Sequence, residues 1–212
     1  MSSHHIVRDE QEPALVVAQP DGLSEEARGA LLEWSPTVVV LSPVLDVVLH
    51  WGIKLDVVVG YEAEVAELRE KLKPQSPVQV LVIAEGGDLL ATALIYLQQN
   101  RYPAVNVLAD IHVAGVNTFR TVQEFVGVLD VVTYSQGYKC WPARGHRVEK
   151  WLPKGQVWEL LPLQPDSRLR TRGMFPEYDN ERWTAPVTVT AETDGRVKVE
   201  ATGPFWIYEK IE

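Results

Sequence analysis

Acidic side chains follow several of the apolar runs in this 212-residue chain. Glu62 and Glu64 come after Val57-Val58-Val59, Glu85 and Asp88 bracket Gly86-Gly87, and Asp110 stands two residues before His112. Glycines ahead of a helical stretch let backbone amides approach an anion. Here, however, acids flank both glycines and neither Lys nor a hydroxyl residue follows at P-loop spacing. The competing reading is a plain turn in which Asp88 caps a helix. Asp110 and His112 point to one side if their strand persists, and Glu85 or Asp88 would have to complete a metal set. No third ligand stands at a defined spacing, so solvated loop tips are the alternative. Ser42 precedes Pro43 and lacks the glycine elbow of a nucleophilic serine, which argues against a Ser-His-Asp triad. Cys140 is the sole cysteine, which excludes an intrachain disulfide and a Cys-based zinc site.

Alternating elements must position these residues. β-Branched runs at 14–18, 37–41, 56–59, 78–83, 104–108 and 131–134 are continuous rather than alternating, as expected of strands buried on both faces. Helical spacing fills the intervals. Ser24-Glu25-Glu26 opens one helix with acids in its first turn, 62–73 reads as an amphipathic helix closed by Pro74, Asp88 caps 89–99, and Asn117 caps a stretch to 129. The pattern predicts an α/β domain over 1–136 with a mostly parallel sheet and flanking helices. In such a sheet ligands sit beyond the carboxyl ends of the strands, where the acids lie.

Beyond 136 the helical period vanishes and Gly, Pro and Trp punctuate short strands at 148–151, 156–161, 187–191, 197–201 and 205–208. Asp194-Gly195 between two alternating runs signals a hairpin. Residues 164–185 read as a long loop, with Arg168, Arg170 and Arg172 solvated in it and answered by Glu177, Asp179 and Glu181. Residues 137–212 therefore form a small antiparallel β unit. It holds Trp141, Trp151, Trp158, Trp183 and Trp206, five of the seven tryptophans. Core filling is the plain reading of these rings, and an aromatic ligand platform the alternative.

Hydrophobic residues make up 46% of the chain and charged ones 23%, the balance of a globular protein rather than a disordered one. A net charge of −9 repels a phosphate backbone and argues against a nucleic-acid partner. The most apolar stretch, 37–60, is broken by Asp46, His50, Lys54 and Asp56, so no membrane span is expected. With one thiol and no signal segment, the expected location is the cytoplasm.

Over nearly its whole length the sequence resembles the thiamine pyrophosphokinase family. The likeness takes in Ser2-Ser3-His4-His5-Ile6-Val7-Arg8 with Glu12-Pro13-Ala14-Leu15. Gly52-Ile53-Lys54-Leu55-Asp56-Val57-Val58-Val59-Gly60 looks like the family's "G-I-x-P-D-x-x-x-G-D-x-D-S" segment. Ala104-Val105-Asn106-Val107 matches the strand before "G-x-R-x-D-H". Glu149-Lys150-Trp151-Leu152-Pro153-Lys154-Gly155 and Leu160-Leu161-Pro162-Leu163 resemble the start of the family's C-terminal β-sandwich. The resemblance implies a Rossmann-like α/β domain followed by a β-sandwich, a homodimer, and pyrophosphoryl transfer from Mg²⁺-ATP to thiamine.

The departures fall on the chemistry. Where the family has "A-D-G-G" stand Leu41-Ser42-Pro43-Val44, and the two metal-holding Asp positions are Tyr61 and Ala63. "D-x-x-T-D" corresponds to residues 85–89, "G-x-R-x-D-H" falls on His112, Ala114, Val116 and Asn117, and "S-x-N" falls on 188–190. The family's chemistry needs acids to hold Mg²⁺, because positioning and neutralisation of the phosphate charge do most of the work in phosphoryl transfer. The expectation is thus a catalytically degenerate relative, a binding or interaction protein with no assigned cofactor or metal. The alternative is an enzyme that uses Glu62, Glu64, Glu85 and Asp88 with Mg²⁺ and ATP. A third reading is a subunit that pairs with an active relative. Tyr61, Val113 and Val116 are candidates to plug the crevice.

Overall fold

The computed structural model describes residues 12–21, 23–111 and 117–211 and divides the chain into two compact units, Met1–Gln136 and Gly137–Glu212. In the first unit β1 (Ala14–Val17), α1 (Glu25–Leu32), β2 (Val38–Leu41), α2 (Leu45–Leu49), β3 (Val57–Tyr61), α3 (Val65–Leu72), β4 (Gln79–Ile83), α4 (Leu89–Gln99), β5 (Ala104–Leu108), α5 (Asn117–Phe125) and β6 (Asp130–Ser135) follow one another. The strands are all parallel, in the order β6-β5-β1-β2-β3-β4. The chain steps outward from β1 to β4 and then returns to the other side of β1. The strand order therefore reverses between β1 and β5, the switch point at which open α/β sheets leave a crevice.

Local signals explain most of these elements. Ser24 caps α1 by accepting the Ala27 N–H at 3.2 Å, and Asp88 caps α4 by accepting that of Ala91 at 2.9 Å. β1 and β2 are buried along their whole length, as their unbroken Val and Leu runs require. β4 departs from the expected burial on both faces. It is the edge of the sheet, and its residues are half-buried or exposed. A short helix, α2, also lies inside the run 37–60 where none was read. The amphipathic stretch 62–73 is a tight turn at Glu62–Glu64 followed by α3, and α5 ends at Phe125 rather than at 129.

The second unit holds β7 (Tyr138–Pro142), β8 (Arg147–Leu152), β9 (Val157–Pro162), β10 (Ser167–Arg172), β11 (Met174–Phe175), β12 (Asp179–Trp183), β13 (Val187–Ala191), β14 (Gly195–Ala201) and β15 (Phe205–Lys210). They pair antiparallel in the orders β11-β13-β9-β15-β7 and β12-β10-β14-β8. Inward residues of both sheets, among them Trp158, Leu160, Leu169, Val199 and Phe205, form one apolar cluster. Trp158, Trp183 and Trp206 are buried as core residues, whereas Trp151 is 62% exposed.

Two expectations fail here. Residues 164–185 are not a loop but contain β10, β11 and β12. The inward face of β10 is Ser167, Leu169 and Thr171, so its alternation carries a single large apolar residue. Thr171 is tolerated inside because its hydroxyl accepts the Tyr178 N–H at 2.9 Å. Asp194-Gly195 does not close a hairpin either. β13 and β14 belong to different sheets, and Asp194 instead accepts the Lys154 N–H at 2.7 Å, fixing the crossing between them.

The arginines of β10 point to solvent, as read, but from a strand. Arg170 meets Asp179 at 3.1 Å, and Arg172 pairs with Glu177 and Asp179. Beside them Arg147, Glu149, Arg196, Lys198 and Glu200 form an alternating network across β8 and β14. The Arg147 guanidinium, with Arg196 behind it, holds the Glu149 carboxyl below the usual value of 4.5, and Lys198 does the same for Glu200. A carboxyl depressed in the folded state stabilises the fold above its ordinary value, and that contribution disappears as pH falls through the lowered one. Urea midpoints of the wild type and of Glu149→Gln with Glu200→Gln should therefore differ by a small constant from neutral pH down to about 4.5 and converge below it. Added salt should shrink the difference, since these side chains are open to solvent.

Candidate functional site

Two crevices open at the carboxyl ends of the strands and meet at Gln19, just after β1. One, of about 390 Å³, lies between Leu41, Tyr61, the Gly86-Gly87 turn and Thr121. The other, of about 240 Å³, is bounded by Gln19, Asp21, Asp110, Ser135 and Gln136 at the switch point.

Around the larger crevice, two of the four acids expected to do chemistry, Glu64 and Asp88, are hydrogen-bonded within the chain. Glu64 turns back onto the sheet. Its Oε2 accepts the Ser42 hydroxyl at 2.6 Å and the Tyr61 N–H at 3.0 Å. Ser42 is thereby a partner of Glu64, tying the end of β2 to that of β3. Tyr61 stands at a strand end and donates its phenol to the Gly87 carbonyl at 3.2 Å, bridging β3 to the glycine turn. Gly86 occupies the left-handed region at φ +79°, where side chains are strained, so this turn needs its glycine. Asp88 is doubly bound, capping α4 through one oxygen and accepting the Thr121 hydroxyl at 2.6 Å on the other. The N-terminus of α4, an anion site in principle, is thus already occupied by a carboxylate of the chain itself. Glu62, Ala63 and Glu85 are exposed around this region.

Asp110 organises the smaller crevice. Its N–H donates to the Gln19 side chain, Oδ1 accepts the Ser135 hydroxyl at 3.2 Å, and Oδ2 accepts the Gln136 amide at 3.0 Å. β5 ends at Leu108, so the strand does not persist to align Asp110 with His112. His112, Val113, Ala114 and Val116 lie outside the described residues, as does the side chain of Asn117. Thr188 and Thr190, at the remaining motif position, lie in β13, part of a regular sheet. Sequence reasoning missed Gln19, Thr121, Ser135 and Gln136. Isolated Gln, Ser and Thr carry no spacing signal, and only the fold brings them to these carboxylates.

Among the described residues no three His, Cys, Asp or Glu side chains gather in a group that could hold a metal ion. The described linings of both crevices carry carboxylates, amides and hydroxyls but no Lys, Arg or His. Such walls suit ligands that donate hydrogen bonds or bear positive charge. Phosphate groups placed against these linings would meet Asp88, Asp110 and Asp21 with no Lys, Arg or His side chain among the described lining residues.

Gly60 sets the closeness of this arrangement. A Cβ there would fall 2.5 Å from Leu68 Cδ1, 3.2 Å from Ser42 Cβ and 3.3 Å from Glu64 Oε2. Gly60→Ala should therefore push α3 off β3 and cost about 1–3 kcal/mol in chemical denaturation. Gly29→Ala, in α1 with nothing within 4 Å, should stabilise by about 0.5–1 kcal/mol.

No protein-family profile matches the sequence, and no curated protein matches it. Solved structures do. The thiamine pyrophosphokinase of Bacillus subtilis aligns with a TM-score of 0.70 at 11% identity, covering 94% of this chain and 98% of its own. That of Geobacillus thermodenitrificans gives 0.73 at 9% identity, with 94% and 97% covered. The Candida albicans protein gives 0.71 at 8% identity, with 96% and 90% covered. At such identities the likeness speaks of architecture, and it extends over both units: the chain has the fold of the thiamine pyrophosphokinases.

Proposed function

We propose that this chain is a divergent thiamine pyrophosphokinase relative that no longer carries out pyrophosphoryl transfer and acts as a binding or interaction protein, paired as a homodimer in a reducing cytoplasm. The observation that carries the reading is the state of the strand ends. Tyr61 and Ala63 stand where the family resemblance puts metal-holding carboxylates, and the nearest replacement, Glu64, is committed to Ser42 and the Tyr61 N–H. Asp88 is committed to the α4 cap and Thr121. Among the described residues the crevice walls are a hydrogen-bonding surface without a Lys, Arg or His counter-charge for a polyphosphate, suited to a small polar ligand with amine or hydroxyl donors.

The test is release of AMP from Mg²⁺-ATP in the presence of thiamine, run beside the Bacillus subtilis enzyme. Background-level release is expected. Turnover approaching that of the control would overturn the reading in favour of an enzyme built on Glu62, Glu64, Glu85 and Asp88.

A further inference from the structure

The cavity at the opposite pole of the first unit is larger than either strand-end crevice. It measures about 440 Å³ and opens at the amino ends of β2 and β3, beyond the C-terminal end of α1. That volume lies within the range of small-molecule sites. Its apolar wall is Leu32, Pro36 and Ile53, and its polar side is Thr37, Lys54 and Asp56. Asp56 is held in place, since its Oδ2 accepts the Val38 N–H at 2.9 Å while Oδ1 accepts Lys54 Nζ at 2.7 Å. The Lys54 side chain is 71% exposed, so the ammonium now resting on Asp56 can exchange with another at little cost.

Three features make this pole attractive to positive charge. Between Met1 and Gln136 the chain carries eight Lys and Arg against eighteen Asp and Glu, a net charge of −10. Such a field draws cations and turns anions away. α1 has acids in its first turn and no basic residue in its last, so the negative end of its dipole at the cavity is not offset from within the helix. Trp34, next in sequence to the cavity-lining Ser35, is 69% exposed and offers a ring face of the kind that cations favour.

The geometry points to a binding site here for an organic cation with an apolar body. The ligand's ammonium replaces Lys54 on Asp56, and its body lies against Leu32, Pro36 and Ile53. This site is separate from the strand-end crevices and stands whether or not those retain catalysis.

Calorimetric titration at low salt and neutral pH with benzylammonium, and with benzoate as the anion of similar size, tests it. The expected result is saturable one-to-one binding of the cation and none of benzoate. Asp56→Asn keeps an acceptor for the Val38 N–H and should weaken the cation about tenfold. Lys54→Met removes the competing ammonium and should tighten it several-fold. Ile53→Trp, which fills the cavity and leaves Asp56 in place, should abolish binding and serves as the deciding variant if Asp56→Asn unfolds. Absence of saturable binding overturns the inference. So does benzoate binding as well as the cation, or weaker cation binding in Lys54→Met.

Discussion

Trp158→Ala should lower the stability of the second unit by about 3–5 kcal/mol, the usual cost of truncating a fully buried large aromatic. Trp158 has no exposed surface and lies on β9, an interior strand. Its ring meets Trp141 edge-on with centroids 6.0 Å apart, and its Nε1 donates to Glu209 at 3.2 Å. Glu209 is itself buried and receives both hydrogen bonds of Lys150, at 2.8 and 2.9 Å. Truncation thus opens a cavity and also strips a donor from a buried carboxylate, two losses of different origin. Domains are stable by only about 5–15 kcal/mol in total, so most of the margin would go. A urea midpoint lowered by about 2 M is expected, at a slope of about 1–3 kcal/mol per molar. Trp151→Ala supplies the contrast. That ring is mostly in solvent, and its loss should change stability by no more than about 0.5 kcal/mol. Equal midpoints for the two variants would contradict the assignment of Trp158 to the core.

Strands could be read where burial wrote itself into composition. Val-rich runs such as those of β1, β2 and β5 leave little else to be, and Ser24 and Asp88 announce their helices by short-range bonding that sequence spacing captures. β10 and β12 escaped because their stability is not local. The inward Ser167 and Thr171 are admissible only with partners that arrive from Gln164 and Tyr178, and the outward arginines only with cross-strand acids. Asp194-Gly195 shows the same limit from the other direction. A turn sequence specifies a reversal of the chain, but which sheet each arm joins is decided by the packing of Val197 and Val199 against residues far away.

The strand-end crevices were legible in place but not in arrangement. Strand–helix alternation put the crevice beyond the carboxyl ends, and the acids there were visible. Whether a carboxylate faces a ligand or the protein depends on side-chain partners that other elements of the fold supply. Glu64 and Ser42 are twenty-two residues apart, Asp88 and Thr121 thirty-three. Hence Glu64, a candidate ligand on sequence, serves as a clasp between β2 and β3. Asp110 likewise joins the ends of β1, β5 and β6 through Gln19, Ser135 and Gln136.

These commitments set the size of the catalytic deficit proposed above. With Mg²⁺, ATP and thiamine, AMP release should be at least about a thousand-fold slower than from the Bacillus subtilis enzyme. A bound metal contributes several kcal/mol of charge stabilisation to such a transition state, and each ~1.4 kcal/mol is a factor of ten in rate. Losing about 4 kcal/mol therefore gives three orders of magnitude before any misplacement of substrate is counted. Tyr61→Asp with Ala63→Asp divides the loss into its causes. If absent carboxylates alone were responsible, the double variant would recover most of the rate. The structure argues for less, because the pair would still face crevice walls whose described residues carry no Lys, Arg or His to receive the phosphates. Tyr61→Asp would also break the clasp to Gly87 that shapes the turn. Recovery by no more than about tenfold is thus expected, the equivalent of ~1.4 kcal/mol. Measured by the same AMP assay, a return to within tenfold of the control would show that two carboxylates are all that separates this chain from an active kinase.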